Sequence, residues 1–393
     1  FDQPNLKATY KVTLVTPAQW EAVSNGALVD KKVESEKLVY QFEETKPISS
    51  YLFAFAAGQF LKTTRQVHDR SMTIYYRETD SVKVKNNLDE VFALHEKSIT
   101  WLEEYTAISY PFGKFDFVLI PSFQYGGMEH PGSIFYNESS LFLDEKASVN
   151  RRMGRASLIA HETAHMWFGD LVTMAWWEDL WLNESFAEWA SYMAVSESTK
   201  WTHAWTEFNS VRKNWAYRVD QMTSTHPIAV EMEDLDAVRT NFDGISYAKG
   251  ASVLQQLVAH VGRDNFIAAL RKYFAKHAYQ NTTLSDLIVQ LEATSGRDLT
   301  EWVRTWLRTA GVNTLSPVLE IEGDVYKSIK VKQLAPTMPV GSTELRPHRL
   351  KVGLYDITGD KLSRRKNVEL DVAGALTEVT ELAGEKTADL VLI

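Results

Sequence analysis

The sequence predicts a multidomain α+β protein, because three stretches of the 393-residue chain carry three different patterns. The first, about 1–62, alternates apolar and polar residues with the two-residue period of β-strands. The second, 63–312, mixes strands with helices and becomes mostly helical after Asn150. The third, 315–393, returns to short apolar strands. With 45% hydrophobic residues, the chain is long enough for about two or three separate cores.

Strands are predicted throughout the first stretch. In the earliest one, one face is apolar and the other polar: Ala8, Tyr10, Val12 and Leu14 against Lys7, Thr9, Lys11 and Thr13. Apolar and aromatic runs at 38–42 and 51–60 predict further strands. Because no helical period interrupts these runs, the stretch is expected to be all β.

The middle stretch begins with strands at 72–76 and 115–120 and with a helix whose apolar residues recur from Leu88 to Leu102. Four later segments have a helical period: 251–261, 264–277, 284–293 and 298–309. Asp298 is placed to cap the last of these helices, and Gly311 is placed to end it. The sequence therefore predicts that helices dominate the second half of this stretch.

The final stretch is predicted to be β again. Apolar runs at 318–321, 326–331 and 350–357 read as strands, and Thr358, Gly359 and Asp360 predict a turn after the last of them.

Charge and composition exclude several classes of protein. Lys and Arg number 42 against 51 Asp and Glu, and the net charge of −9 argues against nucleic acid and anionic membrane as partners. The absence of cysteine excludes disulfides and thiolate metal sites. No apolar run is long enough for a membrane segment, and no signal-like segment follows Phe1. The chain is expected to be soluble, with the cytoplasm, the periplasm and secretion left open as its location.

The most informative motif consists of His161, Glu162, His165 and, after 18 intervening residues, Glu184. Residues four apart lie on one face of a helix, so both imidazoles can bind one ion. Glu162 is rotated by about 100° from His161 and can reach a water on that ion. A catalytic zinc site combines three protein ligands with a water, so a third ligand is required, and Glu184 is the candidate.

Two ordinary helical histidines are the alternative explanation, since the five-residue pattern arises by chance in about one chain of this length in a hundred. However, the motif lies between the mostly apolar segments 157–160 and 166–168. Buried histidines and a buried carboxylate are costly without a partner such as a metal. The sequence therefore predicts one Zn²⁺ per chain, bound by His161, His165 and Glu184.

Three further blocks extend the motif: GGMEH at 126–130, ISYAKG at 245–250, and the opening FDQPNLKATY followed by VSNG. Together they resemble the aminopeptidase N family of zinc metallopeptidases, which are gluzincins, over nearly the whole chain and in the right order. The resemblance implies the end of an amino-terminal β domain at 1–62, a thermolysin-like zinc catalytic domain at 63–312 and a small β sandwich at 315–393.

The resemblance also implies roles for individual residues. Glu162 acts as general base and then as general acid toward a zinc-activated water. Tyr247 matches the tyrosine that donates a hydrogen bond to the tetrahedral oxyanion. The residues expected to bind substrate are Gly126, Gly127, Met128, Glu129 and His130.

Glu129 is expected to distinguish an exopeptidase from an endopeptidase. A free peptide amino terminus is a cation, so an enzyme that selects it needs a fixed negative charge near the metal. The family usually has Gly-Ala-Met-Glu-Asn here, whereas this chain has Gly127 and His130 in place of Ala and Asn. The histidine changes a peptide contact or adds a titrating group near the amine.

The expected function is a zinc aminopeptidase acting on peptides with a free amino terminus. Two alternatives stay open: an epoxide hydrolase and aminopeptidase of the leukotriene hydrolase branch, whose usual block also has the Gly126-Gly127 pair, and a non-catalytic scaffold on the same fold. Family members normally have a longer amino-terminal domain and often a helical carboxy-terminal domain. The sequence therefore leaves open a fragment, missing domains or a partner chain that completes the cleft.

Overall fold

A computed structural model describes residues 3–67 and 69–393. Phe1 and Asp2, which begin the FDQPNLKATY segment, lie outside the described residues. The fold forms two compact units. The first runs to Ser210 and includes Ile267–Gln290, and the second comprises Val211–Phe266 and Leu291–Ile393. The multidomain α+β class is confirmed, while the three domain boundaries stay a prediction.

The first unit contains short strands before and around its helices. These are β1 Lys7–Ala8, β2 Thr13–Pro17, β3 Glu21–Ser24, β4 Leu28–Glu34, β5 Lys37–Phe42, β6 Ile48–Ser49, β7 Phe55–Gly58, β8 Leu61–Val67, β9 Arg70–Tyr76, β10 Asp116–Ile120, β11 Gly127–Met128, β12 Ser133–Asn137, β13 Thr173–Met174 and β14 Asn281–Thr282. Its helices are α1 Ser81–Thr106, α2 Glu138–Leu141, α3 Val149–Ala164, α4 Trp181–Ser198 and α5 Ala204–Glu207.

A five-stranded sheet in the order β11-β12-β10-β9-β8 places the GGMEH block. Strand β10 runs parallel to both β12 and β9, and its buried residues Asp116–Leu119 are enclosed in the unit. Strand β11 pairs antiparallel with β12 at the edge, where Met128 lies opposite Phe135. The sheet edge therefore presents Gly127 and Met128, and the loop 129–132 returns from that edge to β12.

Helix α3 contains His161 and Glu162, and helix α4 contains Glu184. The Ser148 side chain accepts a hydrogen bond from the Arg151 N–H and so caps the start of α3. In α4 every residue of Trp181–Val195 is buried, which identifies it as a core helix rather than an amphipathic surface helix. Because α3 and α4 pack together, the side chains at 161–165 and at 184–188 are brought close to each other.

The second unit combines helices with two antiparallel sheets. Its helices are α6 Lys213–Val219, α7 Leu235–Thr240, α8 Gly250–Val261 and α11 Thr300–Leu307, and α9 Arg263–His277 and α10 Leu284–Ser295 each have residues in both units. Its strands are β15 Thr314–Glu322, β16 Val325–Leu334, β17 His348–Thr358, β18 Lys361–Val372, β19 Leu376–Glu378 and β20 Leu390–Leu392. The sheets have the orders β15-β16-β19 and β18-β17-β20.

One apolar core joins the two sheets of the second unit. It contains Ile329 and Val331 of β16 together with Val352 and Leu354 of β17, all 0% exposed. Facing sheets that share a core form a sandwich, as predicted. The turn predicted at Thr358, Gly359 and Asp360 is also confirmed, since β17 ends at Thr358 and β18 begins at Lys361. Among the described residues, no helix is both long enough and apolar enough to cross a membrane.

Two predicted strands of the first stretch are wrong in their extent. The alternating segment 7–14 is not one strand, because β1 ends at Ala8 and β2 begins only at Thr13. Between these strands, Tyr10 exchanges hydrogen bonds with Thr45. The run 51–60 begins in a 3₁₀ turn, Ser50–Leu52, and only Phe55–Gly58 forms a strand. Alternation of side chains persists through extended segments that lack a partner strand, so the pattern overstates strand length.

A buried histidine makes the stability of the protein sensitive to acid. His95 of α1 is 0% exposed, stacks on Phe117 and bonds the Val91 carbonyl oxygen and the Tyr136 hydroxyl. Burial lowers the pKa of His95 to about 3, although the bond to Val91 opposes it. Between that pKa and the usual histidine pKa of about 6.5, the unfolded chain binds more protons than the folded one, so stability falls as pH falls.

His95→Gln is therefore expected to make the free energy of unfolding less dependent on pH between about pH 6 and pH 4. The slope should decrease by up to about 1.4 kcal/mol per pH unit. Urea unfolding at several pH values measures this slope. The exposed His203 provides the control, because His203→Gln removes an imidazole from the surface. Equal slopes for wild type and His95→Gln would contradict the role of His95.

Candidate metal centre

The two histidines of the motif lie at the end of α3. His161 is in its last turn, and His165 directly follows Ala164, with its N–H still bonded to the His161 carbonyl oxygen. The helical conformation therefore continues through His165, and both imidazoles lie on the same side of the helix. Glu184 enters from the first turn of α4.

The donor atoms of these three residues converge. Nε2 of His161 and Nε2 of His165 are 3.1 Å apart, and Oε2 of Glu184 is 3.3 Å from the first and 3.4 Å from the second. A tetrahedral zinc ion with bonds of about 2.0–2.1 Å separates its ligands by about 3.3 Å. The three donors therefore fit three corners of a zinc coordination tetrahedron.

Each imidazole has a second contact that orients its ring. Nδ1 of His165 is 3.0 Å from the Phe168 carbonyl oxygen, which can only accept a hydrogen bond. Nδ1 of His161 is 3.3 Å from Oε2 of Glu188, one turn after Glu184. With the proton on Nδ1, both rings direct a lone pair on Nε2 toward the centre of the triangle.

The imidazoles and the carboxylate of the three candidate ligands have complementary charges. Burial lowers the pKa of His161, but hydrogen bonds to Glu184 and Glu188 outweigh it and leave that pKa at about 9. Burial raises the pKa of Glu184, but the charge on His165 holds it well below its usual range. A pair of basic imidazoles around an ionised carboxylate is the donor set that zinc binds in exchange for protons.

Glu162 lies beside the triangle without belonging to it. It is 4% exposed, and burial raises its pKa to about 7 against the opposing charges of His161 and His165. Strand β11 packs directly on this carboxylate, since a Cβ on Gly127 would lie 2.4 Å from its Oε1. Glycine at this position therefore leaves room for Glu162 in the conformation observed.

Glu129 reaches the same site from the loop after β11. A carboxylate oxygen of Glu129, one of Glu162 and a ring nitrogen of His165 all lie within 4.8 Å of one another. Glu129 is 7% exposed, and burial raises its pKa although the charge on His165 opposes this. The structure thus brings a buried acidic group next to Glu162 and His165.

His130 is buried beside Glu129, with its ring at 4.7 Å from that of Phe135. Burial lowers the pKa of His130 to about 3, so the imidazole is neutral near pH 7. Burial of His130 therefore favours the first of the two effects expected for it, a changed contact, over an added titrating charge.

The other predicted site residues, Gly126, Met128 and Tyr247, lie at the sheet edge or in the second unit. Gly126 and Met128 flank Gly127 at the sheet edge, and a Cβ on Gly126 would contact Leu158 of α3 at 3.3 Å. Tyr247 lies in the second unit, within a π-helical turn, Ile245–Lys249. Such turns are frequent at functional sites. The catalytic role of Tyr247 stays a prediction.

Sequence reasoning missed several polar groups near the site. Asp170 is 0% exposed, neither of its carboxylate oxygens has a hydrogen-bond partner among the described residues, and burial raises its pKa well above the usual range. The position of this aspartate within the apolar run 166–172 could have indicated from the sequence that it is buried. The Tyr51 hydroxyl, 3.3 Å from the amide nitrogen of Asn183, had no such signal, because 132 residues separate the pair.

Comparison with known proteins gives matches over the whole chain. Residues 91–306 match the Peptidase family M1 domain, and residues 1–52 match the Peptidase M1 N-terminal domain. The chain is 43% identical to Aminopeptidase N of Streptomyces lividans, covering 100% of this chain and 46% of that protein. It is 34% identical to Aminopeptidase M1 of Arabidopsis thaliana, covering 99% of this chain and 43% of that protein.

A third relative is Leucyl aminopeptidase of Saccharolobus solfataricus, which is 35% identical over 79% of this chain and 39% of its own length. The chain therefore spans less than half the length of these relatives.

Proposed function

The chain belongs to peptidase family M1, and from that premise we propose that it is a zinc-dependent aminopeptidase, which removes the amino-terminal residue of peptides. The observation that carries the proposal is the convergence of His161, His165 and Glu184 to within 3.1–3.4 Å beside the buried carboxylates of Glu129 and Glu162. Zinc bound by these three residues would polarise a water and lower its pKa toward about 7.

Glu162 moves the proton in this proposal. Burial raises the pKa of Glu162 and makes its carboxylate a stronger base, which can accept a proton from water and return it to a leaving amine. Burial excludes bulk water from the carboxylate, so the proton passes to the substrate rather than to solvent. The contact of Glu162 with Gly127 keeps it at the edge of the sheet.

Tyr247 supplies the hydrogen bond to the developing oxyanion in this proposal. The support is the resemblance of ISYAKG to the family's catalytic segment and the π-helical turn that contains it. Within the second unit that turn is anchored by Lys249, whose Nζ is 2.7 Å from a carboxylate oxygen of the buried Asp220. A hydroxyl donor of this kind is typically worth about 3 kcal/mol of barrier lowering.

The proposal is tested by incubating the zinc-loaded chain with an amino-acid anilide and with its N-acetyl counterpart. An aminopeptidase releases aniline from the first substrate and not from the second, and a chelator stops the release. Equal rates on both substrates would instead indicate an endopeptidase, and no release from either would refute the proposal.

Glu129→Gln is expected to raise KM for the free-amine anilide by about tenfold to a hundredfold, because it removes one charge-assisted hydrogen bond to the ammonium group. Bound zinc should stay at one ion per chain, since Glu129 is outside the ligand triangle. Steady-state kinetics and metal analysis measure the two effects.

The exposed Glu145 offers a matched control, because Glu145→Gln removes the same charge away from the described metal ligands. Its kinetics should equal those of wild type. An unchanged KM in Glu129→Gln would show that this carboxylate does not bind the amine.

A further inference from the structure

A buried amide in the amino-terminal part of the chain holds the loop that contains Glu129. Asn25 directly follows β3 and is 6% exposed. Its amide nitrogen donates to the carbonyl oxygens of Leu52, at 3.0 Å, and Pro131, at 2.9 Å. Its amide oxygen accepts from the Ala54 N–H at 2.8 Å. The amide thus uses both of its N–H donors and its acceptor on backbone groups.

The loop is also packed directly on the backbone of Asn25. Gly132 has a φ of 72°, and a Cβ there would lie 2.2 Å from the Asn25 carbonyl oxygen. A side chain at that position would be strained and would push the loop away. Pro131 and Gly132 are therefore fixed to Asn25 by one hydrogen bond and by close packing.

Glu129 lies between this attachment and the contact of Gly127 with Glu162. One end of the segment 127–132 is held by the pairing of β11 with β12 and packs on Glu162, and the other end is held by Asn25. Glu129 itself is among the groups within 4.8 Å of each other at the metal site. A shift at Pro131 therefore changes the position of the Glu129 carboxylate relative to the metal ligands.

The other bonds of Asn25 reach the same site by a second route. They hold Leu52, the last residue of the 3₁₀ turn that contains Tyr51, and Ala54, two residues further on. The Tyr51 hydroxyl is 3.3 Å from the amide nitrogen of Asn183, the residue before Glu184. One side chain thus connects the Glu129 loop with a segment that contacts α4.

We propose that Asn25 is a positioning residue for recognition of the substrate amine, because it fixes the loop 129–132 where the Glu129 carboxylate meets the ammonium group. This inference rests on the proposed aminopeptidase function. Asn25 acts through the loop and does not touch the substrate. Misplacement of a binding group by about 1 Å is enough to cost a large part of its effect.

The test compares two ligands that differ only in the amine. Alanine hydroxamate and propionohydroxamate share the metal-binding group, and calorimetry on the zinc-loaded protein gives the ratio of their Kd values. In wild type the amine should favour alanine hydroxamate. Asn25→Ala should reduce this preference by about tenfold and change the Kd of propionohydroxamate by less than about threefold.

Asn25→Asp is the second variant, because it keeps the size and the acceptor for Ala54 and removes both donors. Asn281→Ala is the matched control. The Asn281 amide also donates to two backbone carbonyl oxygens, those of Pro4 and Met174, but not to the Glu129 loop. It should keep the wild-type preference. An unchanged preference in both Asn25 variants, or an equal loss in Asn281→Ala, would overturn the role of Asn25.

A double-mutant cycle separates positioning from general damage. In a Glu129→Gln background, Asn25→Ala should cause no further loss of preference, because the group that it positions is already gone. A second loss of the same size would overturn the proposal. Equal affinity of wild type for the two hydroxamates would instead contradict the amine site itself, and with it the proposed function.

Hydrogen exchange on the metal-free protein gives a readout that needs neither zinc nor turnover. The peptide covering 127–133 should exchange faster in Asn25→Ala than in wild type and Asn281→Ala, since the loop has lost an attachment. Identical exchange in the three proteins would show that Asn25 does not hold the loop.

Discussion

Glu162→Gln is expected to lower kcat by about a hundredfold to ten-thousandfold, the range for loss of a general acid–base group. Glutamine has the same shape but cannot accept a proton, so water activation and protonation of the leaving amine are both lost. KM and zinc content should change little, because Glu162 lies outside the triangle of His161, His165 and Glu184. Steady-state kinetics on an amino-acid anilide and metal analysis provide both measurements.

An exposed carboxylate of the same region serves as the control for this variant. Glu178 lies in the 3₁₀ turn before α4, and Glu178→Gln should keep the wild-type kcat. If Glu162→Gln also kept it, with zinc bound, the proton would have to be moved by another group and the proposed mechanism would be wrong.

Glu184→Gln is expected to abolish hydrolysis for a different reason, the loss of the metal. The substitution removes the negative charge that balances two imidazoles, and an amide is a poor zinc ligand. Zinc affinity should fall by more than the roughly 10- to 100-fold that loss of an outer partner costs. Competition with a chromophoric chelator measures this affinity.

Glu188→Gln is the matched variant, one turn further along α4. Its carboxylate is 3.3 Å from Nδ1 of His161, on the opposite side of the ring from Nε2. The expected loss of zinc affinity is about 10- to 100-fold, with activity restored at high zinc concentration. A larger loss for Glu188→Gln than for Glu184→Gln would reverse the assigned order of ligand and supporting residue.

The parts of the site that depend on local geometry were predictable from sequence. His161 and His165 are four residues apart, so any helix places them together, and the apolar flanks indicated that this helix is buried. The later helices were predictable for the same reason: the predicted 251–261 and 264–277 are observed as Gly250–Val261 and Arg263–His277. In these cases the spacing of residues over one or two helical turns is enough to predict the observed structure.

The contacts that depend on distant segments were not predictable from pattern. Asn25 is bonded to Pro131 across 106 residues, and VSNG carries no sign of that partner. Glu129 was identified through a resemblance, and its approach to Glu162 depends on β11 joining the sheet edge. The π-helical turn at Ile245–Lys249 was also missed, since its sequence has no signal that distinguishes it from an α-helix.

The enclosure of α4 has a consequence for how the protein would bind its metal. Residues Trp181–Val195 are buried on every side, so no fraying of that helix can move Glu184 away while the rest of the unit stays folded. Glu184 would therefore keep its position with or without an ion, so that its carboxylate is preorganised to bind a metal again after a chelator has removed it.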